Sequence, residues 1–282
     1  MRDLRGAAAI LCGLAVAGAA PLRAQTPDQP NLIFTISGGL TTGKTLWTLP
    51  RQLAYATTNG VQNLWDSMAL GRDMRPGFLA TLTATYFRSP NIGYTLEAGF
   101  FGLETKASCR PLAPFIPVGP STSPNQQVCT YLDGQGIPGD AVGLLAGLTF
   151  RATKGGVQPY LRISGGGAII GSSFVEMAGP TIVAGNETVT YFLADQHHKE
   201  LTWMASVGAG VMLPLAPGYQ LRLEARDVIV SLPYPTGPAM DTAAVAAGSQ
   251  VPQPPVGSKV VLVPTFSVGF DIVLERRRGH RY

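Results

Sequence analysis

The stretch TWMASVGAGVMLPL (residues 202–215) decides the fold. Trp203, Ala205, Val207, Ala209 and Val211 fall on alternate positions, with Ser206, Gly208 and Gly210 between them. Successive side chains of a β-strand point to opposite faces, so this spacing predicts a strand with one apolar face and one face of small residues. VGLLAGLTF (142–150) and PTFSVGFDIVL (264–274) repeat the pattern.

Working outward from these, the alternation predicts eight strands, over 32–40, 77–88, 93–105, 140–151, 157–174, 201–213, 219–232 and 258–274. SPNI (89–92), ATKGG (152–156) and PLAPG (214–218) supply Gly, Pro and Asn for tight reversals between strands two and three, four and five, and six and seven. The other four connections run about 25 to 36 residues and are rich in Pro, Gly, Ser, Thr, Gln and Asn. Every second connection is long, so all four lie at one end, the polarity of an outer-membrane barrel. The expected fold is all-β: an eight-stranded antiparallel up-and-down transmembrane barrel, four long loops at one end and three short turns at the other. A short helix is expected around Gln62–Met68, and the remaining long loops are expected to be mobile.

Arg2 and Arg5, an apolar run over Ala7–Ala20 and Leu22-Arg23-Ala24 read as a secretory signal peptide, residues 1–24. The apolar run is too short to span a bilayer as a helix. No later segment offers eighteen unbroken apolar residues, so the mature chain is either soluble outside the cytoplasm or a barrel. A lead (25–31), the barrel (32–274) and a basic tail, ERRRGHRY (275–282), complete the organisation. The formal net charge is +4 in 282 residues, and removing the signal leaves about +2, much of it in the tail. That is a local basic end, which excludes a nucleic-acid-binding face. Cys12 leaves with the signal. Cys109 and Cys129 fall in one long loop of an oxidising compartment, so a disulfide between them is expected.

On this architecture the chain resembles the small eight-stranded outer-membrane barrel family, of the OmpA transmembrane-domain and OmpX kind. SVGFDIVL (267–274) is similar to the signal by which barrel assembly machinery recognises its clients: Ser267 polar, Gly269, then apolar Ile272 and Leu274. In that family the signal stands near the chain terminus; here eight residues follow. The resemblance implies outer-membrane lipid and the assembly machinery as partners, a monomer, and an unidentified extracellular ligand for the loops.

GGLTTGKT (38–45) fits the phosphate-loop pattern, but such a loop opens a helix, and Pro50 in the following LWTLPRQ interrupts one early. It is read as a glycine-rich strand end. On the same parity, Glu97, Arg151, Arg162, Arg222, Glu224, Arg226 and Asp271 face inward or sit near the rims. An eight-stranded barrel is only wide enough for side chains, and charges enclosed there must pair. The expectation is a plug of ion pairs packed with Gly, Ser and Thr; a narrow conduit is the alternative. Tyr86, Phe87, Tyr94, Tyr160, Trp203 and Tyr219 are expected in interfacial girdles, and Trp47 and Trp65 in packing within the first loop. His197-His198, with Asp195 and Glu200 nearby, is too sparse for a metal site. No catalytic residue, metal or cofactor is expected. The leading function is a non-enzymatic outer-membrane barrel with a filled lumen; a solute pore, a lipocalin-like soluble barrel and an outer-rim enzyme rank behind it.

Overall fold

The computed structural model describes residues 31–58, 61–112, 124–137, 139–152, 156–183, 186–195, 200–239 and 253–274. The expected signal peptide, most of the lead, Cys12, the His197-His198 pair and the basic tail with His280 lie outside the described residues. In chain order the elements are β1 (Asn31–Thr41), β2 (Lys44–Thr58), β3 (Val61–Met74), β4 (Phe78–Phe87), β5 (Ile92–Gly102), β6 (Thr105–Leu112), α1 (Pro124–Leu132), β7 (Gly136–Ile137), β8 (Asp140–Arg151), β9 (Gln158–Ile170), β10 (Met177–Val183), β11 (Asn186–Leu193), β12 (Glu200–Ala216), β13 (Tyr219–Pro235) and β14 (Val256–Leu274).

Eight of these strands form a closed antiparallel ring in the order β1-β14-β13-β12-β9-β8-β5-β4, with β4 returning to β1. Closure leaves no unpaired sheet edge. Following the registers round the ring from Gln220 through Asp271, Thr35, Thr83, Glu97, Leu145, Gly166 and Met204 returns to β13 at Val230. The stagger is therefore about ten residues, a strand tilt of roughly 40° and an axial rise of about 2.5 Å per residue. Strands of the length of β4 and β5 then reach about 25 Å, while β12, β13 and β14 continue beyond them at the long-connection end.

The period-two pattern sorts cleanly. Phe34, Ile36, Leu82, Leu96, Leu144, Ile163, Val207, Phe266 and Phe270 are exposed, and Thr35, Thr83, Glu97, Arg162, Ser206, Glu224 and Asp271 are buried. The interior is layered. Ile33, Phe87, Tyr160 and Met212 cluster at the short-turn end. The charged residues occupy the middle. Leu79, Phe101, Leu145, Met204, Val228 and Val263 close the other end and join a core that continues outside the ring. The expectation of small residues filling all space around the charges is therefore corrected: packed apolar side chains fill the upper part.

The long connections also depart from expectation, because three of them fold. The first holds β2 and β3, the second β6, α1 and β7, and the third the β10–β11 hairpin. β2-β3-β6-β7 is a separate four-stranded sheet. The helix expected around Gln62–Met68 is strand β3: Asp66, Met68, Leu70, Arg72 and Met74 are all buried at alternate positions, and β3 pairs with β2 on one side and β6 on the other. A helix would bury positions three or four apart and leave both neighbours unpaired. Gln52 fastens this cap to the segment that follows β13. Its Nε2 donates to the Ala239 carbonyl at 3.0 Å, and its Oε1 accepts from the Ala239 N–H at 2.9 Å.

Candidate functional site

The site that the sequence singles out is the enclosed charge layer. β9 contributes Arg162, β13 contributes Arg222, Glu224 and Arg226, β5 contributes Glu97 and β14 contributes Asp271. All six share the inward parity of their strands and are buried. Arg162 bridges two carboxylates: Nη1 lies 3.1 Å from Glu97 Oε2 and Nη2 lies 2.5 Å from Glu224 Oε1. Arg226 Nη1 donates to both oxygens of Glu97, at 2.7 and 2.9 Å. Arg222 grips Asp271 in bidentate fashion, with Nε at 3.0 Å from Oδ1 and Nη2 at 3.0 Å from Oδ2. Three guanidinium groups thus face three carboxylates, and the layer is neutral. Planar forks meeting carboxylates are the strongest of the ordinary charged hydrogen bonds.

Neutral groups complete the layer. Tyr160 OH donates to Glu224 Oε2 at 2.6 Å. Thr95 and Thr149 hydroxyls lie 2.7 Å apart, as do those of Ser164 and Ser206. Tyr160 and Phe87 were expected in the outer girdles; both face inward and are 3% and 1% exposed. Parity decides this. Tyr160 stands two residues before Arg162 and Phe87 two after Thr85, so each shares the inner face. Tyr86, Tyr94, Trp203 and Tyr219 do face outward.

Arg151 stands apart from the ion-pair layer. Its guanidinium lies 3.7 Å over the Phe87 ring and its Nε donates to the Pro90 carbonyl at 2.8 Å, near the short-turn end. Ser267 and Gly269 line the inner face of β14, and Ile272 and Leu274 the outer face.

At the other end, Cys109 of β6 and Cys129 of α1 are joined by a disulfide. Trp47 is buried in the cap and donates Nε1–H to the Phe174 carbonyl at 2.8 Å. Asn125 Nδ2 donates to Asp66 Oδ2 at 3.0 Å, tying the start of α1 to β3. The phosphate-loop pattern over 38–45 runs from the end of β1 through a two-residue turn into β2. No helix opens there, so the backbone amides that would cradle a phosphate are engaged in strand pairing with β14, β4 and β3. Among the described residues no group of three or more His, Cys, Asp or Glu is placed to hold a metal ion.

Comparison with solved structures returns small surface barrels. Neisserial surface protein A is 11% identical, with 86% of this chain and 98% of that chain covered and a TM-score of 0.39. Ail, the attachment invasion locus protein of Yersinia pestis, solved with the heparin analogue sucrose octasulfate, is 13% identical, with 86% and 99% covered and a TM-score of 0.33. The outer membrane protein OprG of Pseudomonas aeruginosa is 13% identical, with 86% and 96% covered and a TM-score of 0.38. The chain has the architecture of a small eight-stranded barrel. That statement stands on its own registers, since both identity and superposition with these proteins are low. No protein-family model matches the sequence, and no curated protein matches it.

Proposed function

We propose that this chain is a non-enzymatic integral protein of a bacterial outer membrane, with a sealed lumen and a folded cap that meets the outside. One observation carries the reading: the ring is inside-out relative to a soluble barrel. All eight strands turn Leu, Ile, Val, Phe or Tyr outward, with Leu40, Leu82 and Leu144 each at least 60% exposed, while the charges are enclosed. Soluble monomers rarely expose apolar patches beyond a few hundred Å². A belt round a whole barrel belongs in hydrocarbon, where a closed ring satisfies every backbone group.

The belt has the right height. From the registers and tilt, Phe78, Phe100 and Trp203 form an upper ring of exposed aromatics and Phe34, Tyr86, Tyr94 and Tyr219 a lower one, roughly 20 Å apart along the axis. That separation suits the apolar band of about 25 Å between aromatic girdles. The neutral ion-pair layer and the apolar packing above it leave a wall of side chains across the lumen, which speaks against a pore. The cap is then the part free to act on partners, in the manner of binding surfaces mounted on a rigid scaffold.

Fractionation tests the location: the protein should remain with membranes through salt and alkali washes and need detergent for release. Recovery in the aqueous fraction would refute it. In planar bilayers the purified protein should show no discrete conductance steps.

A further inference from the structure

One ionisable side chain breaks the apolar belt. Asp227 of β13 shares the outward parity of Leu223, Ala225 and Ile229. From the registers and tilt it lies roughly 5 Å below the upper aromatic ring and about 15 Å above the lower one. Among the described residues it is the only Asp, Glu, Lys, Arg or His that the eight strands turn outward between those rings. Its cross-strand partners are Val207 on β12 and Pro264 on β14. Asp227 is half-buried among them and takes part in no hydrogen bond or ion pair.

An ionisable group at membrane depth is costly and as a rule is turned toward a partner. Here the barrel itself supplies none. The outer faces beside Asp227 carry Ala205, Val207 and Ala209 on β12, and Leu262, Pro264 and Phe266 on β14. Arg226, the preceding residue, faces the lumen and holds Glu97. Lys259 of β14 has the opposite parity to Leu262 and Pro264 and stands more than about 10 Å higher. Acyl chains offer no hydrogen-bonding group, so the partner comes from another molecule at the same depth.

The wall around Asp227 is also low, because Ala205, Ala209 and Ala225 are its outward neighbours. Along the barrel axis Leu262 stands roughly 7 Å above Asp227 and Ala209 about as far below. Surfaces within a membrane associate where small side chains let backbones approach and a polar group bonds across. A two-fold axis along the membrane normal sets a residue against its own copy at equal depth. A carboxyl suits that position, since it donates when protonated and accepts when ionised. We propose that the outer face of β12 and β13 around Asp227 is a two-fold contact between two copies of this chain in the membrane, in which the two Asp227 carboxyls share a proton and Ala209 meets its counterpart beneath them. Two carboxyls in one site do not both ionise readily, so the proton stays between them at neutral pH. The chain is then a dimer where the family resemblance implies a monomer.

This contact rests on the barrel lying in a bilayer, which fractionation decides separately. Recovery in the aqueous fraction would remove the belt; a membrane-bound chain that stays monomeric would remove only the contact. The test is sedimentation equilibrium of the full chain in density-matched detergent micelles. The wild type should dimerise, and its dissociation constant should rise by about tenfold or more between about pH 6 and about pH 9 as the shared proton leaves. Asp227→Asn keeps a group that both donates and accepts, so it should dimerise without that pH dependence. Asp227→Leu should dimerise at least about tenfold more weakly. In phosphatidylcholine vesicles, oxidation of Ala209→Cys should link two copies, whereas Leu82→Cys, at a similar depth on β4 across the ring, should not. All four variants lie on the outer face and leave the enclosed charge layer intact, so each should give the native barrel. A monomeric wild type at about pH 6, a dimer that Asp227→Leu leaves unchanged, or equal linking by Leu82→Cys and Ala209→Cys would each overturn the proposal.

Discussion

Removing Arg162 should be among the most damaging single changes in the barrel. Arg162→Met keeps much of the volume but takes one guanidinium from between Glu97 and Glu224. Glu97 retains Arg226 at 2.7 Å, while Glu224 is left with Tyr160 OH at 2.6 Å and Arg226 at 4.0 Å. Two carboxylates then share one guanidinium in a layer where all are at most 6% exposed. Breaking a buried pair by deleting one partner costs about 3–5 kcal/mol, mostly for the charge left behind. Replacing both partners by apolar groups removes that charge, so Arg162→Met with Glu224→Met should lie within about 1 kcal/mol of either side of the wild type once Tyr160 is changed to Phe as well. The assay is reversible urea unfolding of protein refolded into short-chain lipid vesicles, followed by tryptophan fluorescence. Because the pair is buried, salt should barely alter the difference. An Arg162→Met cost below about 1 kcal/mol, or a combined variant costing the sum of its parts, would refute the view that enclosed charges stand only because they are matched.

Four further outcomes follow from the same geometry. A Val268→Arg change near the middle of the belt should cost about 2–4 kcal/mol in vesicles, and Val260→Arg on the prolonged part of β14 about 0–1 kcal/mol; equal costs would argue against the assigned membrane level. Gly210→Ala should block formation of the heat-modifiable folded band on gels, because its Cβ would stand 2.3 Å from the Leu223 carbonyl and 2.7 Å from the Tyr160 ring, whereas Gly165→Ala meets nothing closer than 4.0 Å and should fold normally. Cys129→Ser opens a loop of sequence separation 20 and should cost the cap roughly 3 kcal/mol, seen as faster proteolysis of the cap with the barrel core still protected. Trp47→Phe should cost about 1–3 kcal/mol by leaving the Phe174 carbonyl without its donor, read by the same proteolysis.

The barrel was legible because lipid and a filled lumen impose opposite demands on adjacent residues of every strand. Asp140–Arg151 is read to the residue, and the other seven strands to within a few at their ends. The cap was not legible, and β2 shows why. Its pairing with β3 shifts register between Thr45 and Trp47, Leu49 and Gln52, and Ala56 and Thr58. The first two shifts each add a residue to β2 and flip its parity, while the third adds one to β3, so Leu46 and Trp47 are both buried and alternation fails as a guide. β6 (TKASCRPL) and β10 (MAGPTIV) carry Pro within short strands, which reads as loop. β3 did hold a signal. Strict alternation over residues 66–74 places Arg72 on the same face as Met68, Leu70 and Met74. The helix expected around Gln62–Met68 overlapped the start of this alternation and hid it.

The inward aromatics were legible too, through their neighbours rather than their type. Tyr160 pairs with Gly210 on β12, and Phe87 with Gly93 on β5. A Cβ at Gly210 would touch the Tyr160 ring, and one at Gly93 would stand 2.9 Å from Phe87 Cδ1. A large ring turned into a tube this narrow has to lie along the wall, and it does so over a position without a side chain. Residue type alone sends tyrosine and phenylalanine near strand ends to the interfacial girdle. Parity and the facing glycine send these two inside, where Tyr160 donates to Glu224 and Phe87 supports Arg151. The glycines of the inner face are therefore not simply small fillers around the charges. Those at Gly93 and Gly210 hold open the space in which aromatic rings complete the seal, and that is why the short-turn end is closed by Ile33, Phe87, Tyr160 and Met212 before the ion pairs are reached.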